Sequence, residues 1–232
     1  MRAALAGRLR VSAIRSLTAA ARPAIDRHVI AAPREIAQSL ARLAEEDAAS
    51  IDLLSPGGCA DLLAASAELS YRDARPVIGT GEREVHQDFE ICMPVPDGSL
   101  FHDCRDALER LLARALDVMP APPLAVPPRL NDLVVQRYPA RSRGITAHRD
   151  HVCYRDLVAI VTFAGQARFF VSTDRSGENA REVPVPPGSL LLMRAPGFAG
   201  RDDRPFHFLS GVSEERLCLG LRHDVRTEAG AG

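Results

Sequence analysis

The sequence predicts an α+β, mainly β fold: a β-sandwich or jelly roll with helices packed against it. Three observations lead there. Residues 31–118 repeat apolar side chains at helical spacing; residues 120–128 form a proline-rich break; beyond it, short apolar runs alternate with turn residues. With 232 residues, of which 46% are hydrophobic, the chain can bury a substantial core. No stretch approaches the roughly 18 uninterrupted apolar residues of a membrane span.

Each helix has its own signal. Pro33 can open a helix at its first turn, and Ile36, Leu40 and Leu43 follow at helical spacing. Ser55-Pro56 reads as a second start, carrying Leu62, Ala65 and Leu69. In residues 101–118, Phe101, Cys104, Leu108, Leu111, Ala115 and Val118 make one apolar stripe, with Asp and Arg on the other faces. Between the second and third helices, Gly79, Gly81, Pro94 and Pro96 mark residues 77–97 as a hairpin or mobile loop, the candidate for a lid hairpin.

The expected strands are 133–138, 145–148, 157–164, 168–172, 182–185, 189–193, 205–209 and 216–222. Gly165, Ser176-Gly177, Pro186-Pro187-Gly188 and Gly211 stand between some of them. The resulting division is an Arg/Ala-rich extension (1–30), a helical support region (31–128), a β core (129–224) and a flexible tail (225–232).

Composition removes several functions. All 29 basic residues are Arg, so Schiff-base chemistry, a P-loop lysine and a general-base lysine are excluded. Six of those arginines, against the single acid Asp26, lie in residues 1–30, which leaves the rest of the chain acidic despite a net charge of −1. An acidic body does not favour nucleic acid, where phosphate neutralisation dominates affinity. The five cysteines are dispersed and lack a C-x-x-C pair, so they read as reduced thiols. The N-terminus lacks a continuous apolar h-region, and a cytoplasmic location is expected.

One constellation carries chemistry. In His148-Arg149-Asp150, residues i and i+2 of an extended segment share a side, so His148 and Asp150 can converge on one ion while Arg149 turns away. His207 lies several strands downstream and can approach from another wall. Two imidazoles and one carboxylate leave three metal positions open, as an iron(II) oxygenase needs. Arg216 and Arg222, six residues apart, point the same way on a strand and can bind a carboxylate through charge-assisted hydrogen bonds. Gln136 and Tyr138 share a side as well.

These residues resemble the H-x-D…H…R pattern of the iron(II)/2-oxoglutarate dioxygenases, whose fold is a double-stranded β-helix. The AlkB-like branch is the most similar. Its signature resembles the run from Asn131 to Tyr138, then Arg143-Gly-Ile-Thr-Ala-His148-Arg-Asp150, the R-x5-R of Arg216 and Arg222, and Pro187-Gly-Ser-Leu-Leu-Leu-Met193. The resemblance covers residues 131–222. It implies iron(II) on His148, Asp150 and His207, and 2-oxoglutarate held by Tyr138, Arg216, Arg222 and Gln136. It further implies O2 consumption, with release of succinate and CO2. Gln136 stands where the branch commonly has Asn, and no Trp is available to flank a base.

Hydroxylation of a small or amino-acid-derived substrate is therefore the preferred expectation. AlkB-type demethylation of nucleic acid or protein is the alternative, and a non-catalytic metal- or carboxylate-binding barrel a third. Neighbouring polar residues are expected at the margins. His151 is read as turned from the ion, Asp202-Asp203 as a solvated loop or substrate rim, His86, Asp88 and Glu90 as a lid edge, and His223 as strand-end surface.

Overall fold

In the computed structural model, which describes residues 24–227, two antiparallel sheets pack face to face and three helices cover one of them. The helices are α1 (Pro33–Glu46), α2 (Pro56–Ser66) and α3 (Leu100–Asp117). The strands of the first half are β1 (Ala48–Asp52), β2 (Arg72–Asp73), β3 (Val77–Ile78), β4 (Val85–Asp88) and β5 (Glu90–Cys92). Those of the second are β6 (Asp132–Tyr138), β7 (Gly144–His148), β8 (Tyr154–Ala164), β9 (Arg168–Ser172), β10 (Arg181–Val183), β11 (Ser189–Arg194), β12 (Phe206–Ser210) and β13 (Arg216–Asp224).

All three helices begin where the sequence places them. Pro33 is the first residue of α1, and the Glu35 carboxylate accepts from the Ala32 N–H at 2.7 Å, which satisfies one otherwise orphaned donor. Ser55 caps α2 by accepting from the Gly58 N–H at 3.4 Å. Ile36, Leu40, Leu43, Leu62, Phe101 and Leu108 are buried under the large sheet. Val118 departs from the expected stripe: α3 stops at Asp117, and Val118 is 53% exposed.

The large sheet runs β1-β11-β8-β13-β6-β5-β2, and the small one β10-β9-β12-β7-β4-β3. The large sheet has two buried faces. Leu190, Leu192, Val161, Phe163, Leu217, Leu219 and Leu221 meet the helices, whereas Leu191, Met193, Val158, Cys218 and Tyr138 meet Phe169, Val171 and Leu209 of the small sheet. That double burial explains the uninterrupted apolar run of β11, which a half-exposed strand would alternate.

Within residues 77–97 the expected hairpin forms, β3 pairing antiparallel with β4, and it is built into the edge of the small sheet rather than standing free. β4 pairs with β7, β5 pairs with β6, and Phe89 between them is buried against Tyr138 at a centroid distance of 4.7 Å. β1, unexpected from the sequence, closes the edge of the large sheet by pairing with β11. Of the Arg-rich extension, residues 1–23 lie outside the described residues, as do 228–232 of the tail; Ile25 is fully buried and Val225 donates to the Cys153 carbonyl at 3.2 Å. All five cysteines are free thiols and buried.

Gly144 sets the start of β7. Its φ is +79°, and a Cβ there would stand 1.9 Å from the Leu209 carbonyl oxygen on β12. Gly144→Ala is expected to destabilise the protein by about 3 kcal/mol or more, through left-handed strain and forced separation of the strands. The denaturation midpoint in urea should fall accordingly; an unchanged midpoint would contradict the close approach.

Candidate metal centre

β7 and β12 bring the three candidate ligands together. His148 and His207 are directly opposed across the ladder, with ring centroids 4.2 Å apart. Between His207 and Leu209 on β12 the pairing steps from His148 to Ile145 on β7, a bulge that places one extra residue on β7. Ile145 and His148, which would face opposite sides of a regular strand, both line the same cavity because of it. Asp150 follows just past the end of β7, and its Oδ2 lies 3.9 Å from His207 Nε2. One donor atom from each of His148, Asp150 and His207 falls within 4.8 Å of the others.

Hydrogen bonding and charge prepare these donors. His148 Nδ1 is 2.9 Å from the Thr146 carbonyl, which can only accept; that nitrogen carries the proton, and Nε2 keeps its lone pair. Phe169 stacks on the His207 ring at 5.8 Å. Burial lowers the His148 pKa. His207 is pushed down to about 3, chiefly by burial and secondly by repulsion from His148. Burial alone would raise the Asp150 carboxyl. The combined attraction of His207, Arg222, His148 and Arg204 outweighs it and holds the group below its usual value. Two neutral imidazoles and one carboxylate fit a divalent transition metal.

A cavity of about 310 Å3 extends from these residues to a cationic wall on β6 and β13. Register builds that wall: Arg216 opposes Tyr138, Cys218 opposes Gln136 and Arg222 opposes Asp132. The bare Gly220 sits beside Val134, where an added Cβ would meet Val134 Cγ1 at 3.1 Å.

Arg216 is 1% exposed. It donates from Nη2 to Thr162 Oγ1 at 2.8 Å and from Nη1 to Cys218 Sγ at 3.1 Å, and its Nε has no partner. Among the described residues no carboxylate pairs with it. A buried guanidinium without an anion is costly, so its surroundings call for one. Tyr138, 5.5 Å from that guanidinium, is buried and its phenol is pushed well above the usual range by burial, so it stays protonated.

Arg222 differs. Its Nη1 bonds Asp132 Oδ2 at 2.9 Å, its guanidinium lies 5.0 Å from the Tyr154 ring centroid, and Asp150 attracts it. Gln136 Oε1 is 3.5 Å from Cys218 Sγ. Asn131 has a scaffold part: it exchanges bonds with the backbone of Asp224 and ties the start of β6 to the end of β13.

Several marginal residues stand elsewhere than expected. Arg149 does not turn away; β7 ends at His148, so strand parity no longer holds, and Arg149 lines the cavity. His223 is not surface but bonds Asp156 Oδ2 through Nδ1 at 2.8 Å. Asp202 and Asp203 do lie in an exposed loop, as the first of the two expectations had it; Asp203 is also engaged by Arg201 and Arg194, whose hydrogen bonds hold its carboxyl down to about 2. Asp88 accepts from the Arg143 N–H and Glu90 pairs with Arg137, so His86, Asp88 and Glu90 make no joint site. His151 lines the cavity, its Nδ1 accepting from the Cys153 N–H at 3.2 Å. Thr162 and Asp132 were not anticipated, because strand register is not legible in a single sequence.

No protein-family model matches the chain, and no curated protein matches it. Solved structures do. A prolyl hydroxylase from Trichoplax adhaerens, in complex with a hypoxia inducible factor peptide fragment, is similar at 12% identity with a TM-score of 0.61, covering 86% of this chain and 94% of its own. An oxidoreductase of the 2OG-Fe(II) oxygenase family from Burkholderia pseudomallei gives 12% and 0.55, covering 82% and 89%. A prolyl-4-hydroxylase from Pseudomonas putida gives 16% and 0.52, covering 82% and 98%. The chain has the double-stranded β-helix fold of the 2-oxoglutarate/iron(II) oxygenases. The likeness is to that fold as a whole and does not single out the AlkB-like branch.

A proton competes with a metal only where the free ligand is protonated. With His148 below its ordinary value of about 6.5 and His207 lower still, Co(II) affinity should stay flat from about pH 8 to pH 6.5. It should then fall as His148, and later His207, takes up a proton. Calorimetric Co(II) titrations across this range check it; a loss of affinity centred above pH 7 would contradict the buried, neutral pair.

Proposed function

We propose that the protein is an iron(II)- and 2-oxoglutarate-dependent dioxygenase that hydroxylates a small-molecule or amino-acid-derived substrate. His148, Asp150 and His207 would hold the iron, leaving positions for the cosubstrate and O2. Iron with 2-oxoglutarate supplies the oxidising power, coupling loss of CO2 and formation of succinate to substrate oxidation.

The observation that carries this reading is the buried Arg216. Its unpaired Nε and missing acid partner fit the distal carboxylate of a dicarboxylate. Tyr138, protonated and beside it, can donate to the same carboxylate, and Thr162 and Cys218 fix the guanidinium's plane. Arg222, held by Asp132, keeps Asp150 ionised and faces the same cavity. Gln136 offers a polar amide on that wall. Deep burial of Arg216, Tyr138, Thr162 and Cys218 keeps bulk water from screening the charge at that end of the cavity.

AlkB-type demethylation is the second reading, and the motif running from Asn131 to Tyr138 with the Arg216 and Arg222 pair favours it. The aromatic rings around the cavity support the small-molecule reading instead. Phe89 packs on Tyr138, Phe169 on His207, and Arg222 lies over Tyr154, which leaves none of these rings bare to sandwich a flipped base. A non-catalytic barrel would not need both an intact ligand triad and an anion-seeking Arg216.

Succinate release screened against amino-acid derivatives and methylated oligonucleotides tests the function. Turnover with the former and no formaldehyde from the latter is expected; the reverse would establish the demethylase. Arg216→Met should weaken 2-oxoglutarate binding about 10- to 100-fold, the value of one or two charge-assisted hydrogen bonds. Iron should be retained in that variant and lost in His207→Ala. Equal loss of iron and cosubstrate in Arg216→Met would show that its role is misassigned.

A further inference from the structure

A second, more open cleft of about 970 Å3 adjoins the triad cavity and shares Ile78, His148 and Arg149 with it. Whatever occupies it lies beside the candidate metal ligands. Four arginines line it, Arg83, Arg149, Arg175 and Arg204, against a single acid, Glu82. We infer that this cleft recognises an oxyanion on the primary substrate, a carboxylate or a phosphate, while the substrate's reactive carbon reaches the triad. The inference rests on the reading of His148, Asp150 and His207 as the metal site.

Among the described residues, the cleft gathers four arginines that no acid neutralises, whereas several arginines elsewhere are paired. Arg137 pairs with Glu90, Arg168 with Glu182, Arg194 with Asp47 and Asp203, and Arg222 with Asp132. Among the described residues none of the four cleft arginines forms an ion pair. Arg175 and Arg204 each use Nη1 on backbone carbonyls, of Glu84 and Ala147 for the former and of Asp150 for the latter. Those bonds brace the segment that carries the ligands, and the rest of each guanidinium keeps its donors.

Phe206 organises the group. Arg149 lies 4.1 Å from its ring centroid and Arg175 5.5 Å, so one ring holds two guanidiniums in place. Gathering like charges is unfavourable unless an anion joins them, and planar guanidiniums match carboxylate and phosphate oxygens. The Phe206 ring is already covered, which removes the stacking platform that a single-stranded nucleic acid would use. The cleft therefore favours a small anionic molecule over a polynucleotide.

The test is a set of calorimetric titrations on the full chain, with and without Mn(II) and 2-oxoglutarate. The probes are inorganic phosphate, acetate and a single-stranded oligothymidylate. Wild type should bind phosphate or acetate saturably, the tighter of the two naming the class of substrate anion. Arg83→Gln, at an exposed residue that lines this cleft and not the triad cavity, should bind that anion several-fold more weakly while its 2-oxoglutarate affinity stays unchanged, and Arg83→Gln/Arg149→Gln should bind it at least tenfold more weakly. Arg149→Lys should restore part of the loss, as retained charge predicts. Three results would overturn the inference: no saturable anion binding, equal binding in wild type and double variant, or oligothymidylate binding tighter than both small anions. Variant-sensitive anion binding in a chain that takes up neither Mn(II) nor 2-oxoglutarate would sustain the anion site and sink the dioxygenase reading alone.

Discussion

His148 faces His207 across the ladder between β7 and β12, and the site is organised around that register. Gly144 allows β7 to approach the Leu209 carbonyl closely, and the bulge between His148 and Ile145 turns both residues into one cavity. A one-residue slip would point one imidazole out of the site. The second constraint lies on the opposing sheet, where β6 and β13 pair so that Arg216 meets Tyr138 and Arg222 meets Asp132. The face-to-face packing of the two sheets brings the donor triad and the cationic wall together.

The two arginines of the cavity wall, Arg216 buried and Arg222 half-buried, play different parts because their neighbours differ. Arg222 is neutralised by Asp132 and, after His207 and together with His148 and Arg204, helps hold the carboxyl of Asp150, a candidate ligand, below its usual value. Arg216 is satisfied only by a hydroxyl and a thiol, and its environment is incomplete without an anion. The four arginines of the outer cleft likewise lack an acid partner among the described residues, and they are gathered in one place rather than scattered. In a chain with no lysine, the placement of acids beside arginines says more about function than the number of arginines does.

Much of this was legible in the sequence. The helices could be read because Ile36, Leu40 and Leu43 follow a proline at the correct spacing and Ser55 is a good cap. All eight strands expected after residue 128 form, since β-branched and leucine runs there are punctuated by Gly and Pro. β1 escaped because Ala48-Ala49-Ser50 has neither length nor β-branching; its pairing with β11 is a tertiary choice. His148, Asp150 and His207 could be named as one group because their residue types and the H-x-D spacing point to one ion, although Asp150 lies beyond β7. Arg149 was misplaced because strand parity was carried beyond the last residue of β7. Thr162 and the outer cleft could not be foreseen, for they depend on which strands become neighbours.

The proposed function requires that the triad and Arg216 form one site for a metal and a keto acid. The most direct measurement is the visible absorption of the iron(II)-loaded protein under anaerobic conditions as 2-oxoglutarate is added. A weak charge-transfer band should appear, saturate with one 2-oxoglutarate per iron, and require far higher 2-oxoglutarate in Arg216→Met. Iron loading confirmed without any band, or a band that Arg216→Met leaves unmoved, would contradict it.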